Sequence, residues 1–291
     1  MRRCALLAAL LVVAGCGGGG SYTPPATGAG TSPPPPPPPP PPADVLSLDL
    51  TTGTAAAATA PYVLSPDRIL FRRIAGTAPL SSGDAVGEAG TSDATAAATV
   101  ADCWLSLHEI SQAQWARLAA FAPAHAAPWS PYAGDATLGG AGAVAADKPA
   151  FGVSWDALQA VLAGWNAGSA RRDLRAPSAA EWEFACRGGA ATAVRYPWGA
   201  SEDPATAAVQ ALVRETRTAV GPGICGARSA NALGFHDMTG NVWEWVDGGT
   251  PSLRGGSWFD NLRSAASGNR LAMDASVPYP TAGVRLVLEP L

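Results

Sequence analysis

The sequence predicts an α+β domain that is irregular and rich in loops, on three observations. Three segments with helical apolar spacing each follow a serine placed to cap them, at Ser111, Ser154 and Ser178. Short stretches of β-like alternation precede the first of these. From Ala190 to Leu291 no long periodic segment occurs, yet the chain there is dense in turn residues and aromatics. Such a stretch in a domain with regular helices carries function more often than disorder.

The elements follow in order along the chain. Met1 to Cys16 reads MRRCALLAALLVVAGC. Two arginines precede an apolar run, Ala5–Ala14, that is too short to span a bilayer and fits a secretory signal. Val13-Ala14-Gly15-Cys16 resembles the lipobox of bacterial lipoproteins. That resemblance implies residues 1–15 as a signal peptide, cleavage before Cys16, and acylation of Cys16. Residues 16–43 read as a Gly/Pro-rich tether. Its ten consecutive prolines, Pro33–Pro42, form a polyproline II spacer of roughly 31 Å. The expected location is therefore exported and lipid-anchored, at the outer membrane or cell surface. Gly17 in place of Asp after Cys16 favours the outer membrane of a two-membrane cell.

Residues 44–291 form the expected folded domain. Val45–Leu50, Arg68–Ile74 and Trp104–Leu107 are its candidate strands. The first helix is QAQWARLAAF after Ser111. The second, WDALQAVLAGWN after Ser154, puts Leu158, Val161, Leu162 and Trp165 on one face. The third, AAEWEFACRG after Ser178, has Glu181 in place for a capping box and Gly188 to end it. Only 14% of residues are charged and the net charge is −4, with no basic stripe, so no nucleic-acid partner is expected. Outside the leader, Cys103, Cys186 and Cys225 remain. They allow at most one internal disulfide and lack zinc spacing.

Seven words then occur in order: HEISQAQWARL, KPAFGVSWDALQAVLAGWN, LRAPSAAEWEFACRGG, YPWG, NALGFHDMTGNVWEWVDG, LRGGSW and GVRLV. Together, over about residues 65–288, they resemble the formylglycine-generating enzyme (sulfatase-modifying factor) family. The resemblance implies a loop-rich C-type-lectin-like fold. Most of these words make sense as scaffold. Trp243 and Trp245 alternate in NVWEW, which sends both indoles to one strand face and into the core, where Trp258 is expected as well. Gly255-Gly256 permits a close backbone approach.

Asp237 and Glu244 bracket a tight turn at Gly240, and two carboxylates with nearby carbonyls suit Ca²⁺. In the family this segment binds a structural calcium. Carried over, that implies side-chain ligands Asp237 and Glu244 and carbonyl ligands Gly240 and Val242. The alternative is capping groups or solvated acids without metal. The family's second calcium loop has no counterpart in ALVRETRTAVGPGICGARSA.

The resemblance fails at catalysis. Formylglycine-generating enzymes use two cysteines after the GGS word to bind copper, because thiolate softness and redox chemistry are required. Here Ser257–Arg285 contains no cysteine, and Ser264 stands where the second would be. No copper is expected. Other branches are non-heme iron oxidases built on histidine clusters, whereas this chain has only His108, His125 and His236. A non-enzyme is therefore expected, with a metal-dependent oxidase or a fixed-sequence scaffold or binding lipoprotein as alternatives.

From Leu253 to Leu291 the words LRGGSW, LRSAASGNR and GVRLV alternate with mixed clusters. The clusters are Phe259-Asp260-Asn261, Leu271-Ala272-Met273-Asp274 and Val277-Pro278-Tyr279-Pro280-Thr281. This pattern resembles the variable proteins of diversity-generating retroelements, in which chosen codons of such a segment are rewritten. It implies a variable region at about 255–285. Phe259, Asp260, Asn261, Leu271, Ala272, Met273, Asp274, Val277, Tyr279 and Thr281 would contact a protein or other macromolecular ligand at a cell or phage surface. Arg263, Gly268, Arg270 and Arg285 read as frame residues, the arginines pairing buried carboxylates or carbonyls. The other reading is an ordinary surface loop without a retroelement.

Overall fold

In the computed structural model, residues 44–76, 80–82 and 96–289 are described, and they belong to one unit, Pro37–Leu291. The leader, Cys16 and the polyproline run lie outside the described residues. The first half contains strands β1 (Val45–Asp49), β2 (Ala55–Ala57), β3 (Arg68–Ile74), β4 (Leu80–Ser82), β5 (Ala96–Ala98) and β6 (Cys103–Ser106). Helices α1 (Gln112–Leu118) and α2 (Trp155–Asn166), strand β7 (Leu174–Arg175) and helix α3 (Ala179–Cys186) follow. A short helix α4 (Pro204–Ala207) precedes β8 (Ala211–Leu212), β9 (Thr239–Gly240), β10 (Trp243–Val246), β11 (Ser252–Arg254), β12 (Ala282–Gly283) and β13 (Val287–Leu288).

The main sheet has the order β2-β1-β3-β6-β13-β7, with every neighbouring pair antiparallel. The last strand thus sits between β6 and β7, and closing the sheet requires the C-terminus. On β3, Ile69 and Phe71 enter one apolar cluster with Trp115, Trp165 and Trp245, while Ile74 enters a second with Trp182, Phe235 and Val287. Both faces of the sheet are therefore covered, which is why RILFRRI lacks a clean polar alternation. Among the described residues no helix is long and apolar enough to cross a membrane.

All three serine caps form. The Ser154 hydroxyl accepts from the Ala157 amide, and the expected capping box of Ser178 with Glu181 is complete. Ser111 makes a second box with Gln114. The first helix is shorter than QAQWARLAAF. It tightens to a 3₁₀ turn at Ala119–Phe121 and stops at Ala122, whose φ of −144° is the non-helical geometry that the following Pro123 imposes.

Candidate ligand-binding site

Strands β11 and β12 flank β10, antiparallel and parallel to it respectively. The segment 255–281 therefore leaves and rejoins the sheet on either side of one strand, about 10 Å apart at two strand spacings. Each end is held by a buried arginine. Arg254 pairs with Glu183 at 3.4 Å, and Glu183 also pairs with Arg187. Arg285 pairs with Glu244 at 2.9 Å and donates at 2.7 Å to the carbonyls of Ser106 and His236. The frame role thus holds for Arg285. Arg263 and Arg270 are exposed instead, with Arg263 on Glu202; Arg254 takes the buried place. Gly268 is buried. Gly255 and Gly256 have φ of +94° and +72°, and a Cβ on Gly256 would sit 2.6 Å from that of Ala265. Close approach of two backbones is what requires these glycines.

Within the segment, structure and exposure divide the expected contact residues. Asp260 Oδ2 accepts from the Trp243 indole at 2.8 Å and from the Ser257 hydroxyl. Asn261 caps the turn Leu262–Ala265 by accepting from the Ser264 amide at 2.9 Å. Both half-buried side chains thus have a role within the fold. Leu271 exchanges backbone hydrogen bonds with Leu253 at 2.8 and 2.9 Å. Phe259, Ala272, Asp274 and Val277 are exposed, and Met273, Tyr279 and Thr281 are half-buried.

Five of the ten converge. Phe259, Leu271, Met273, Tyr279 and Thr281 line one cavity of about 290 Å³ together with Leu138, Trp243, Leu253 and Pro280. Its lining is nearly all apolar, with three aromatic rings. Trp243 is core, as expected, and only 5% exposed, but it also forms part of this wall. Trp245 and Trp258 are wholly core. Sequence reasoning missed the Trp243 contribution because alternation gives a side, not a depth. Leu138 comes from a distant run of 3₁₀ turns, where no local pattern points to the cavity. That run is tied to the segment by the Tyr132 hydroxyl, which donates to the Pro278 carbonyl at 2.7 Å.

Both carboxylates that the resemblance places around calcium have hydrogen-bond partners within the chain. Glu244 has both oxygens engaged by Arg285, and Oε2 also accepts from the Trp182 indole at 2.6 Å. Asp237 accepts from the Gly226 amide, the Gly240 amide donates to the Gly255 carbonyl, and the Val242 amide donates to Glu109. Arg285 supplies the positive charge that this carboxylate group needs. Burial, augmented by the charges of Asp237 and Glu244, pushes Glu109 well above the usual carboxylate range. Burial also raises Asp237.

Of the candidate catalytic groups, two histidines lie together and the third is apart. His108 and His236 stack at 4.9 Å, and burial, with His236 and Arg285 nearby, pulls His108 down to about 3. His125 lies in a separate turn under the Trp115 indole. Cys103, Cys186 and Cys225 are buried free thiols, and burial pushes the first two up to about 12. Among the described residues no three His, Cys, Asp or Glu side chains come together as a metal site. The Ser264 hydroxyl donates to Asn261.

Comparison with known proteins agrees with this architecture. In solved structures, Treponema denticola variable protein 1 matches with a TM-score of 0.58 at 16% identity, covering 79% of this chain and 98% of that one. PvdO from Pseudomonas aeruginosa matches with a TM-score of 0.59 at 18% identity, covering 78% and 96%. At these identities the likeness shows the fold, the irregular α+β architecture of the formylglycine-generating-enzyme and C-type-lectin-like type. Among curated sequences, inactive C-alpha-formylglycine-generating enzyme 2 of Bos taurus is 33% identical over 132 residues, 41% of each chain. The formylglycine-generating enzyme of Mycobacterium tuberculosis is 40% identical over 81 residues, 25% of this chain and 26% of its own. The matched region thus spans less than half the length of these relatives. The Sulfatase-modifying factor enzyme 1-like domain matches residues 73–290, most of the chain, and the protein belongs to that family.

Proposed function

We propose that this chain is an exported, lipid-anchored binding protein that holds a macromolecular ligand with the segment 255–281 and performs no catalysis. The observation that carries this reading is the convergence of Phe259, Leu271, Met273, Tyr279 and Thr281 on one apolar cavity. Aromatic and Met side chains in a concave, half-exposed wall are effective general contacts for a protein surface. The frame beneath them is rigid and independent of their identity, since its anchors are the buried pairs of Arg254 and Arg285. Side chains at the wall can then change while the fold stays, which suits diversification of the segment by a retroelement. The absence of the two copper-binding cysteines supports a non-catalytic role. So does the presence of a relative named inactive.

Two experiments test this. Sequencing the DNA beyond the 3′ end of the gene should find a near-copy of the codons for residues 255–285, with adenines at substituted positions, beside a reverse-transcriptase gene. Their absence would remove the diversification from this reading. Acylation is tested by mass spectrometry of the mature N-terminus, where a diacylglyceryl group on Cys16 is expected and an unmodified cysteine would refute the anchor.

A further inference from the structure

The charge around the apolar cavity is not balanced. Leu138 and Met273 form part of its lining. Asp135 lies three residues before Leu138 and caps that turn, its carboxylate accepting only from Thr137. Asp274 follows Met273 and accepts only from Ser276. Asp156, at the start of α2, is exposed, and its amide donates to the Ala275 carbonyl at 3.1 Å, which places it beside the same turn. None of the three acids makes an ion pair among the described residues. Four arginines near the segment 255–281 are engaged: Arg263 with Glu202, Arg214 with Glu215, Arg217 over the Trp258 ring, and Arg270 is not free either. A volume of about 290 Å³ is below that of a typical drug-sized ligand site and suits one large side chain.

We propose that the occupant is a basic polypeptide segment, with one large apolar side chain in the cavity and flanking Lys or Arg side chains facing Asp135, Asp156 and Asp274. This rests on the binding role proposed above and assigns the partner's chemistry. The apolar anchor supplies affinity by desolvation against Trp243, Phe259 and Tyr279. The unpaired carboxylates supply orientation and on-rate, because exposed charges of opposite sign steer the encounter. An acidic segment would instead meet three carboxylates of its own sign.

The test uses the full chain immobilised for surface plasmon resonance and three capped hexapeptides, Lys-Lys-Leu-Phe-Lys-Lys, Ser-Ser-Leu-Phe-Ser-Ser and Glu-Glu-Leu-Phe-Glu-Glu. The basic peptide is expected to bind at least tenfold more tightly than the neutral one and the acidic peptide most weakly. Raising the salt should shrink that contrast, and Asp156→Asn, which removes no side-chain hydrogen bond, should narrow it as well. Equal binding of the basic and neutral peptides would overturn the charge assignment and leave the cavity as an apolar site. Preference for the acidic peptide would overturn it outright. Binding of none would overturn this inference and the cavity's role together.

Discussion

Arg285 and Glu244 face each other with both side chains sealed from solvent, the guanidinium meeting the carboxylate at 2.9 Å from Nη2 and 3.0 Å from Nε. The pair ties the central strand β10 to the turn between β12 and β13. Removing one partner strands the other as an uncompensated buried charge, so Glu244→Leu or Arg285→Leu should each cost about 3–5 kcal/mol. The double substitution should cost much less than the sum. Urea unfolding of the three variants checks this, and additive losses would show that the two groups do not act as a pair.

The same contact bears on the response to metal. Because Arg285 occupies both oxygens of Glu244, a chelator should leave the melting temperature unchanged. A clear fall on chelation, reversed by Ca²⁺, would mean that Arg285 yields its place to a cation.

Phe259 is 54% exposed, whereas Met273 and Tyr279 pack against the core cluster from its edge. Phe259→Ala should therefore move stability by less than about 0.5 kcal/mol, and Met273→Ala should cost about 1 kcal/mol. Both should weaken ligand binding. A fall of several degrees in Tm for Phe259→Ala would place that ring in the core.

Asp260 separates structural from contact roles. Asp260→Ala leaves the buried Trp243 indole and the Ser257 hydroxyl without their acceptor, at about 1–3 kcal/mol. Thermal unfolding measures it, and a neutral result would return Asp260 to the set of freely variable contacts.

His108 sets an acid limit. Its folded pKa, about 3, lies below the unfolded value of about 6.5. The unfolded chain then binds the extra proton between those values, and stability falls as pH drops below about 6.5. By pH 5 this amounts to about 2 kcal/mol. Relative to its own value at pH 7, a His108→Gln variant should lose about that much less on going to pH 5. Equal losses would show that His108 stays protonated in the fold.

Much of the architecture was legible because it rests on local physics. Serine caps, period-3.6 apolar spacing and the Gly188 stop give α2 and α3 within two residues. Apart from β10, which the Trp243/Trp245 alternation marked, the strands beyond the three expected ones are two or three residues long, too short for periodicity to register. The first helix ended early for a reason present in the sequence, Pro123, that apolar spacing outweighed. Of the site, the contact clusters were visible as irregular composition between repeated words. Asp260 and Asn261 look like contact residues in that composition, and only the structure shows the hydrogen bonds they also make within the fold.

By itself the sequence determined the family, the caps, the two glycines at the start of the segment 255–281 and the absence of cysteine from Ser257 to Arg285. These are properties of residue type and order, which local sterics and chemistry translate directly. The tertiary structure alone decided that Glu244 serves Arg285, that Arg254 is buried while Arg263 and Arg270 are not, and that Leu138 joins Phe259 in one cavity. Those outcomes depend on which distant segments share a low-dielectric interior, where an unpaired charge is too costly to leave and an apolar wall forms only between elements already packed.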